Sequence, residues 1–209
     1  MSMTHALYAK HVAEHIFLVY GVKLKRYSLI YGAIKPDAST IFAKHPHYIN
    51  LSLDNLCETV DDLIETIEGR NELETRAFAR ELGVVLHYIA DYFCRVHNDV
   101  NGIKHPKNFR HIWYEQGLQR AIKKYELEAL REEVTNDLDY DIKKIDMISF
   151  KDYIIYKHNR YMKETGKMYM KDNNKKRKKT DIVYSYKMEL LISSYIVKKI
   201  LDKTKLLGR

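Results

Sequence analysis

Five residues between positions 87 and 115 carry imidazole and carboxylate side chains at helical spacing. Asp91 follows His87 by four residues, so on an α-helix both side chains project from one face. His111 and Glu115 repeat this spacing. Each pair offers an imidazole nitrogen and a carboxylate oxygen to a common point, which suits zinc or a similar divalent ion. His97 lies ten residues after His87, about 80° away on a straight helix, and would serve a neighbouring ion better than the same one.

Either pair alone is weak evidence for a metal site. With 10 His and 28 acidic residues among 209, about one His followed by an acid at the fourth position is expected by chance. The complete pattern, His-x3-Asp-x5-His-x13-His-x3-Glu, is expected from composition only on the order of a few times in ten thousand such chains. The full spacing therefore predicts a metal centre.

The elements that must position these residues are predicted to be helices. The chain contains 8 Gly and 3 Pro, fewer than many short strands joined by tight turns would need. Apolar residues recur at helical spacing from Leu53 to Ile67 and from Phe78 to Phe93. Asp152 follows Ser149 by three residues, which is typical of a capping box at a helix start. We therefore predict an all-α fold, a compact multi-helix bundle.

Three details of this prediction concern the surroundings of the metal centre. The stretch from Gly32 to Asp37 contains Gly and Pro around a short apolar run, which predicts a connecting loop. The run from Lys175 to Lys179 predicts a solvated basic loop between a helix that ends at Gly166 and a last helix that begins at Thr180. Trp113 is expected to face the core, away from His111 and Glu115.

The net charge of +8 is unevenly distributed along the chain. Residues 151–209 contain 17 Lys and Arg against 6 Asp and Glu, a net charge of +11, whereas the first 150 residues carry −3. The basic tail indicates either an exposed loop that aids solubility or a contact with phosphates of an anionic membrane or of nucleic acid. The first twenty residues show no signal peptide and no membrane span, so we expect a cytoplasmic protein.

The five-residue pattern resembles the metal-binding core of the zinc-dependent phospholipase C family. Bacterial members of this family hydrolyse phospholipid headgroups with a cluster of zinc ions in an all-helical fold, which is similar to that of zinc-dependent single-strand nucleases. The stretch from Gly32 to Asp37 resembles the family's glycine-to-proline loop that ends in a ligand aspartate, and His47, or alternatively His45, follows where the family has another histidine. Residues 4–7, Thr-His-Ala-Leu, resemble its N-terminal histidine helix. The resemblance covers about residues 4 to 160.

The resemblance implies a ligand set for each zinc ion. The first ion would be bound by Asp37, His47, His87 and Asp91. The second ion would be bound by His97, His111 and Glu115. A third position would lie between Asp91 and His5, but relatives complete it with an N-terminal tryptophan that has no counterpart here. We therefore expect two zinc ions, or a third metal ion that is weakly held.

The resemblance also implies a zinc-dependent phosphodiester hydrolase, with Asp37 as candidate general base. Its substrate would be a phospholipid or a soluble phosphodiester. Ala38 stands where the choline-binding relatives have an aromatic residue, so phosphatidylcholine does not follow as the substrate. Two alternatives stay open: a zinc-dependent nuclease or nucleotidase, and a non-catalytic metal-binding helical scaffold. We expect residues 1–166 to form the zinc-binding domain and residues 167–209 to be a basic loop and a helix packed on it.

Overall fold

The computed structural model describes residues 2–38, 46–98, 109–122, 126–169 and 174–206. These residues form helices and contain no strand, so the prediction of an all-α fold is confirmed. A short 3-10 turn, Arg95–His97, follows the fifth helix. The α-helices, in chain order, are α1 Ser2–Tyr20, α2 Arg26–Ala38, α3 Ile49–Thr66, α4 Arg70–Leu73, α5 Arg76–Tyr92, α6 Phe109–Ile122, α7 Leu127–Ile148, α8 Phe150–Tyr169 and α9 Asn174–Leu206.

Helices α2 and α5 pack closely through glycines. A methyl group at Gly83 of α5 would lie 2.7 Å from the backbone nitrogen of Ala33 and 2.9 Å from the Cα of Gly32 on α2. Leu29 lies against Gly83, and Ala33 lies against His87, each 54 positions later in the chain. The two helices therefore run in the same direction, with their backbones too close for side chains at the two glycines.

The stretch predicted as a loop before Asp37 is the second half of α2, so that prediction is wrong. Leu29, Gly32, Ala33 and Pro36 are all buried at helical spacing. Packing of this face against α5 stabilises the helix although it contains Gly and Pro, which are poor helix formers. Asp37 therefore projects from the last turn of a helix.

The basic run is also helical, because α9 begins at Asn174 and not at Thr180. Helix α8 continues through Gly166, so neither predicted boundary is correct. The reason lies in a polar stripe along the inner face of α9, in which every fourth residue is buried: Arg177, Asp181, Ser185 and Glu189. Since Arg177 belongs to this stripe, the start of the helix is tied to the bundle.

Helix α9 packs against α5, α7 and α1, and contributes Leu190, Ile192 and Ile196 to the core. Its Ser185 hydroxyl donates to the carbonyl of Ala90, at the end of α5 that carries the predicted ligands. Within the described residues, no helix has both the length and the apolar character needed to cross a bilayer.

Candidate metal centre

Asp91 is the centre of a cluster of histidines. Its carboxylate is fully buried in the last turn of α5. One oxygen, Oδ2, lies 2.6 Å from His47 Nδ1 and 3.2 Å from His87 Nε2. The other, Oδ1, lies 3.4 Å from His5 Nε2 and 3.3 Å from His97 Nε2. Four imidazoles from four parts of the chain therefore surround one carboxylate.

The side chains fall into two groups that could each hold a metal ion. Within each group, the potential ligand atoms lie within 4.8 Å of one another. One group is His5, Asp37 and His87, and the other is His47, Asp91 and His97. Asp37 Oδ1 lies 3.9 Å from His87 Nε2, which is itself 3.1 Å from His47 Nδ1, so the groups adjoin. These six are all the predicted ligands whose side chains the structure describes, although their grouping differs from the one that the resemblance implies.

A backbone carbonyl orients the ring of His87. The Nδ1 atom lies 2.8 Å from the carbonyl oxygen of Ala33 on α2. If Nδ1 carries the proton and donates it, Nε2 is left as the metal-binding atom and faces Asp91. The close packing of α2 and α5 at Gly83, one turn earlier, thus sets the orientation of a candidate metal ligand.

His97 reaches Asp91 because α5 ends before it. Helix α5 ends at Tyr92, and the chain turns into the 3-10 turn Arg95–His97. The expectation of a straight helix, with His97 about 80° from His87, therefore does not hold. His97 is instead buried against the same carboxylate as His87.

Electrostatics in the cluster match a cation site. Burial raises the pKa of the Asp91 carboxyl, but His97 and His87 outweigh burial and hold that pKa well below its usual range. Burial and the neighbouring His87 lower the pKa of His5, so its ring is neutral, which is the form that binds zinc. Both ring nitrogens of His5 and Oδ1 of Asp91 are buried without a hydrogen-bond partner in the described residues. Such orphaned atoms, with their nitrogen and carboxylate chemistry, fit zinc.

The predicted second half of the centre lies on α6, which carries His111 and Glu115. The side chains of these two residues, and all of His45, lie outside the described part of the chain. Trp113, between them, is 72% exposed, so the expectation that it faces the core is wrong. The side chain of the neighbouring Tyr114 points inward instead, since its hydroxyl donates a hydrogen bond to Asp181 on α9.

Asp181 on α9 is hydrogen-bonded both to the turn that carries His97 and to α6. The sequence analysis did not predict this role. This buried carboxylate accepts hydrogen bonds from the Arg95 backbone N–H at 3.0 Å and from the Tyr114 hydroxyl at 2.6 Å. The Tyr161 hydroxyl donates to its other oxygen at 2.9 Å. Asp181 therefore holds in place both the turn of His97 and the helix of His111.

Glu189 is a second buried acid of α9 that the sequence did not reveal. It is 1% exposed, and neither carboxyl oxygen has a hydrogen-bond partner among the described residues. Burial, together with the negative charge of Asp91, raises its pKa well above the usual range. The only sequence signal was a four-residue repeat of polar residues, Asp181, Ser185 and Glu189, in a mostly apolar stretch.

Comparison with known proteins agrees with this geometry. A family model described as zinc-dependent phospholipase C matches residues 4–168, which include every predicted ligand. No curated protein and no solved structure matches the chain. Most of the chain is thus covered by one family, and its His and Asp residues converge as a metal centre requires. The chain belongs to the zinc-dependent phospholipase C family.

Proposed function

We propose that the protein is a zinc-dependent phosphodiester hydrolase of the phospholipase C type. The observation that carries this proposal is the convergence of His5, His47, His87 and His97 on Asp91. These side chains and Asp37 would hold zinc, with His111 and Glu115 added by the family resemblance. When bound, zinc lowers the pKa of a water molecule and binds phosphoryl oxygens as charge develops in the displacement.

Asp37 is the proposed general base. It is the exposed acid of the cluster, whereas Asp91 is fully buried. Of these two carboxylates, only Asp37 can therefore meet a substrate arriving from solvent. Its carboxylate would accept the proton of the attacking water, while His87, fixed by the Ala33 carbonyl, keeps a nitrogen at the metal.

The substrate is proposed to be a phospholipid headgroup or a soluble phosphodiester that approaches along α6. Trp113 stands exposed on this helix, and the ammonium of Lys178 lies 5.7 Å from the centre of the Tyr114 ring. The start of α9 thus places a basic side chain, Lys178, against α6, the helix that also carries the exposed Trp113. This combination is typical of surfaces that lie on anionic membranes.

Zinc content and turnover, measured on the same preparation, test the proposal. Zinc-replete protein should hydrolyse bis-para-nitrophenyl phosphate or phospholipid vesicles, and a chelator should abolish the activity. Asp91→Asn should lose zinc, whereas Asp37→Asn should lower turnover by about 100- to 10,000-fold, the usual share of a general base. Asp139→Asn, an exposed residue on α7, is the matched control and should change neither quantity.

Single-stranded DNA serves as a third substrate in the same assay. Turnover of DNA alone would favour the nuclease alternative over the phospholipase type. A protein that binds zinc but cleaves none of the three substrates would contradict the proposed function and support a metal-binding scaffold.

A further inference from the structure

The end of the bundle opposite the metal centre carries a basic groove with a volume of about 590 Å³. It lies where α1 has ended and where α2 and α5 begin. Five cationic side chains line it, and no acidic side chain does: Lys23, Lys25, Arg26, Arg76 and Arg80. The first 150 residues carry a net charge of −3, so this concentration of positive charge runs against the balance of the surrounding chain.

The positive charge of the groove is mostly uncompensated. Arg80 pairs with Glu81 at 3.2 Å, and Glu74 accepts only the backbone N–H of Lys23. Within the part of the chain that the structure describes, the side-chain charges of Lys23, Lys25 and Arg76 have no acidic partner. Like charges held together repel one another, and an anionic ligand removes that repulsion.

The helix geometry adds to the positive potential. Helices α2 and α5 run in the same direction, with Gly32 against the backbone of Arg80 and Ala33 against Gly83. This offset of about 50 residues places the first residues of the two helices, Arg26 and Arg76, at about the same level. The N-terminal ends of both helices therefore face the groove, and each contributes partial positive charge. Thr75, the N-cap of α5, accepts the backbone N–H of Phe78 and leaves other N–H groups of the first turn available.

Two tyrosines give the groove flat organic surfaces. Tyr27 is 79% exposed and Tyr31 is 54% exposed, one turn apart on the same face of α2. The Arg26 guanidinium lies 5.4 Å from the centre of the Tyr27 ring. Rings and cations side by side suit a ligand in which phosphates are attached to a ring-shaped skeleton.

We propose that this groove is a second ligand site, separate from the metal centre, that binds organic polyphosphates. Arg76 and Asp91 mark the two ends of the relevant stretch of α5, and their fifteen-residue separation corresponds to about 22 Å along the helix. A ligand in the groove therefore does not touch the zinc ligands. The proposal does not depend on the proposed hydrolysis, since the groove contains none of its residues.

Calorimetric titration of the zinc-free full-length protein tests this site. The probes are inositol hexakisphosphate, ATP, inorganic phosphate, and phosphatidylcholine vesicles with and without a phosphorylated phosphatidylinositol. Binding of the polyphosphates but not of inorganic phosphate is expected, and the vesicles show whether the phosphates come from a lipid headgroup or a free molecule. Lys25→Gln combined with Arg76→Gln should weaken binding about tenfold or more, since each loses a charged hydrogen-bond donor.

The matched control removes the same charge elsewhere. Lys175→Gln combined with Lys179→Gln alters two exposed cations at the start of α9 and should leave the affinity for the soluble polyphosphates within about twofold. Equal weakening by both double variants would show attraction to net charge alone and would overturn the proposal, as would an absence of binding to every probe. Thermal unfolding of each variant confirms that it is folded.

Discussion

Adding one methyl group at Gly83 tests whether the packing of α2 on α5 orients His87, a proposed metal ligand. The Cβ of an alanine would lie 2.7 Å from the backbone nitrogen of Ala33, whereas ordinary contact begins near 3.4 Å. The helices must therefore separate by more than about 0.7 Å, because the carbonyl oxygen of Leu29 lies still closer to that Cβ and backbone atoms have no rotamer to change. The His87 to Ala33 hydrogen bond, now 2.8 Å, would stretch to the limit of such a bond.

The expected loss of stability combines three contributions. Overpacking costs about 1–3 kcal/mol, and the lost hydrogen bond about 1 kcal/mol. The higher helix propensity of alanine stabilises the helix by about 1 kcal/mol and offsets part of this loss. Gly83→Ala should therefore lower the free energy of unfolding by about 1–3 kcal/mol. For a chain of this size, Tm should fall by about 2–12 °C. Zinc affinity should fall by about 10- to 100-fold as His87 loses its orienting partner.

Urea unfolding of the zinc-free protein and zinc titration against a competing chelator measure the two effects separately. Gly166→Ala is the control, since nothing lies within 4 Å of a Cβ at that position in α8. It should raise stability by up to about 1 kcal/mol and leave zinc affinity unchanged. A Gly83→Ala protein as stable as the wild type, with unchanged zinc affinity, would refute the reasoning.

Two further predictions concern buried titratable side chains. Burial, with a smaller contribution from Arg131, lowers the pKa of His15 to about 4, and its Nε2 lies 2.8 Å from the Ser194 hydroxyl. Because the unfolded chain takes up this proton near pH 6.5, His15 should destabilise the zinc-free protein by up to about 3 kcal/mol as pH falls from 6.5 to 4. His15→Asn should flatten that part of the profile of unfolding free energy against pH, and parallel profiles would count against it. Asp181→Asn should weaken zinc binding by about tenfold by loosening the hydrogen bonds to Arg95 and Tyr114, and equal affinity in a zinc titration would show that Asp181 does not position the centre.

Helical spacing predicted the part of the centre that lies within one helix. His87 and Asp91 share a face because four residues make about one turn, and no tertiary information was needed. Asp37 was predicted as a ligand although the loop predicted around it is a helix. The residue type of Asp37 and its resemblance to the family motif can be recognised from neighbouring residues alone. The helix around it depends on packing against Gly83, which is about fifty residues away in sequence.

The remaining features depend on contacts between distant segments. His97 meets Asp91 because α5 ends at Tyr92, and periodicity does not locate such an end within a residue or two. Asp181 and Glu189 are acids on an inner helical face, and such residues look solvent-exposed until the partner helix is known. The basic groove is formed by residues 23–26 together with residues 76–80. Its positive charge is therefore not visible in a count of charge along the chain.

Zinc-edge anomalous diffraction from crystals of the zinc-replete protein tests the central claim most directly. Anomalous peaks are expected within about 2.0–2.2 Å of imidazole nitrogens and carboxylate oxygens of the cluster around Asp91. His5, Asp37, His47, His87 and His97 would then be seen as ligands. Zinc peaks only at other residues, or none around Asp91 in crystals that contain zinc, would contradict the assignment of this cluster as the metal centre.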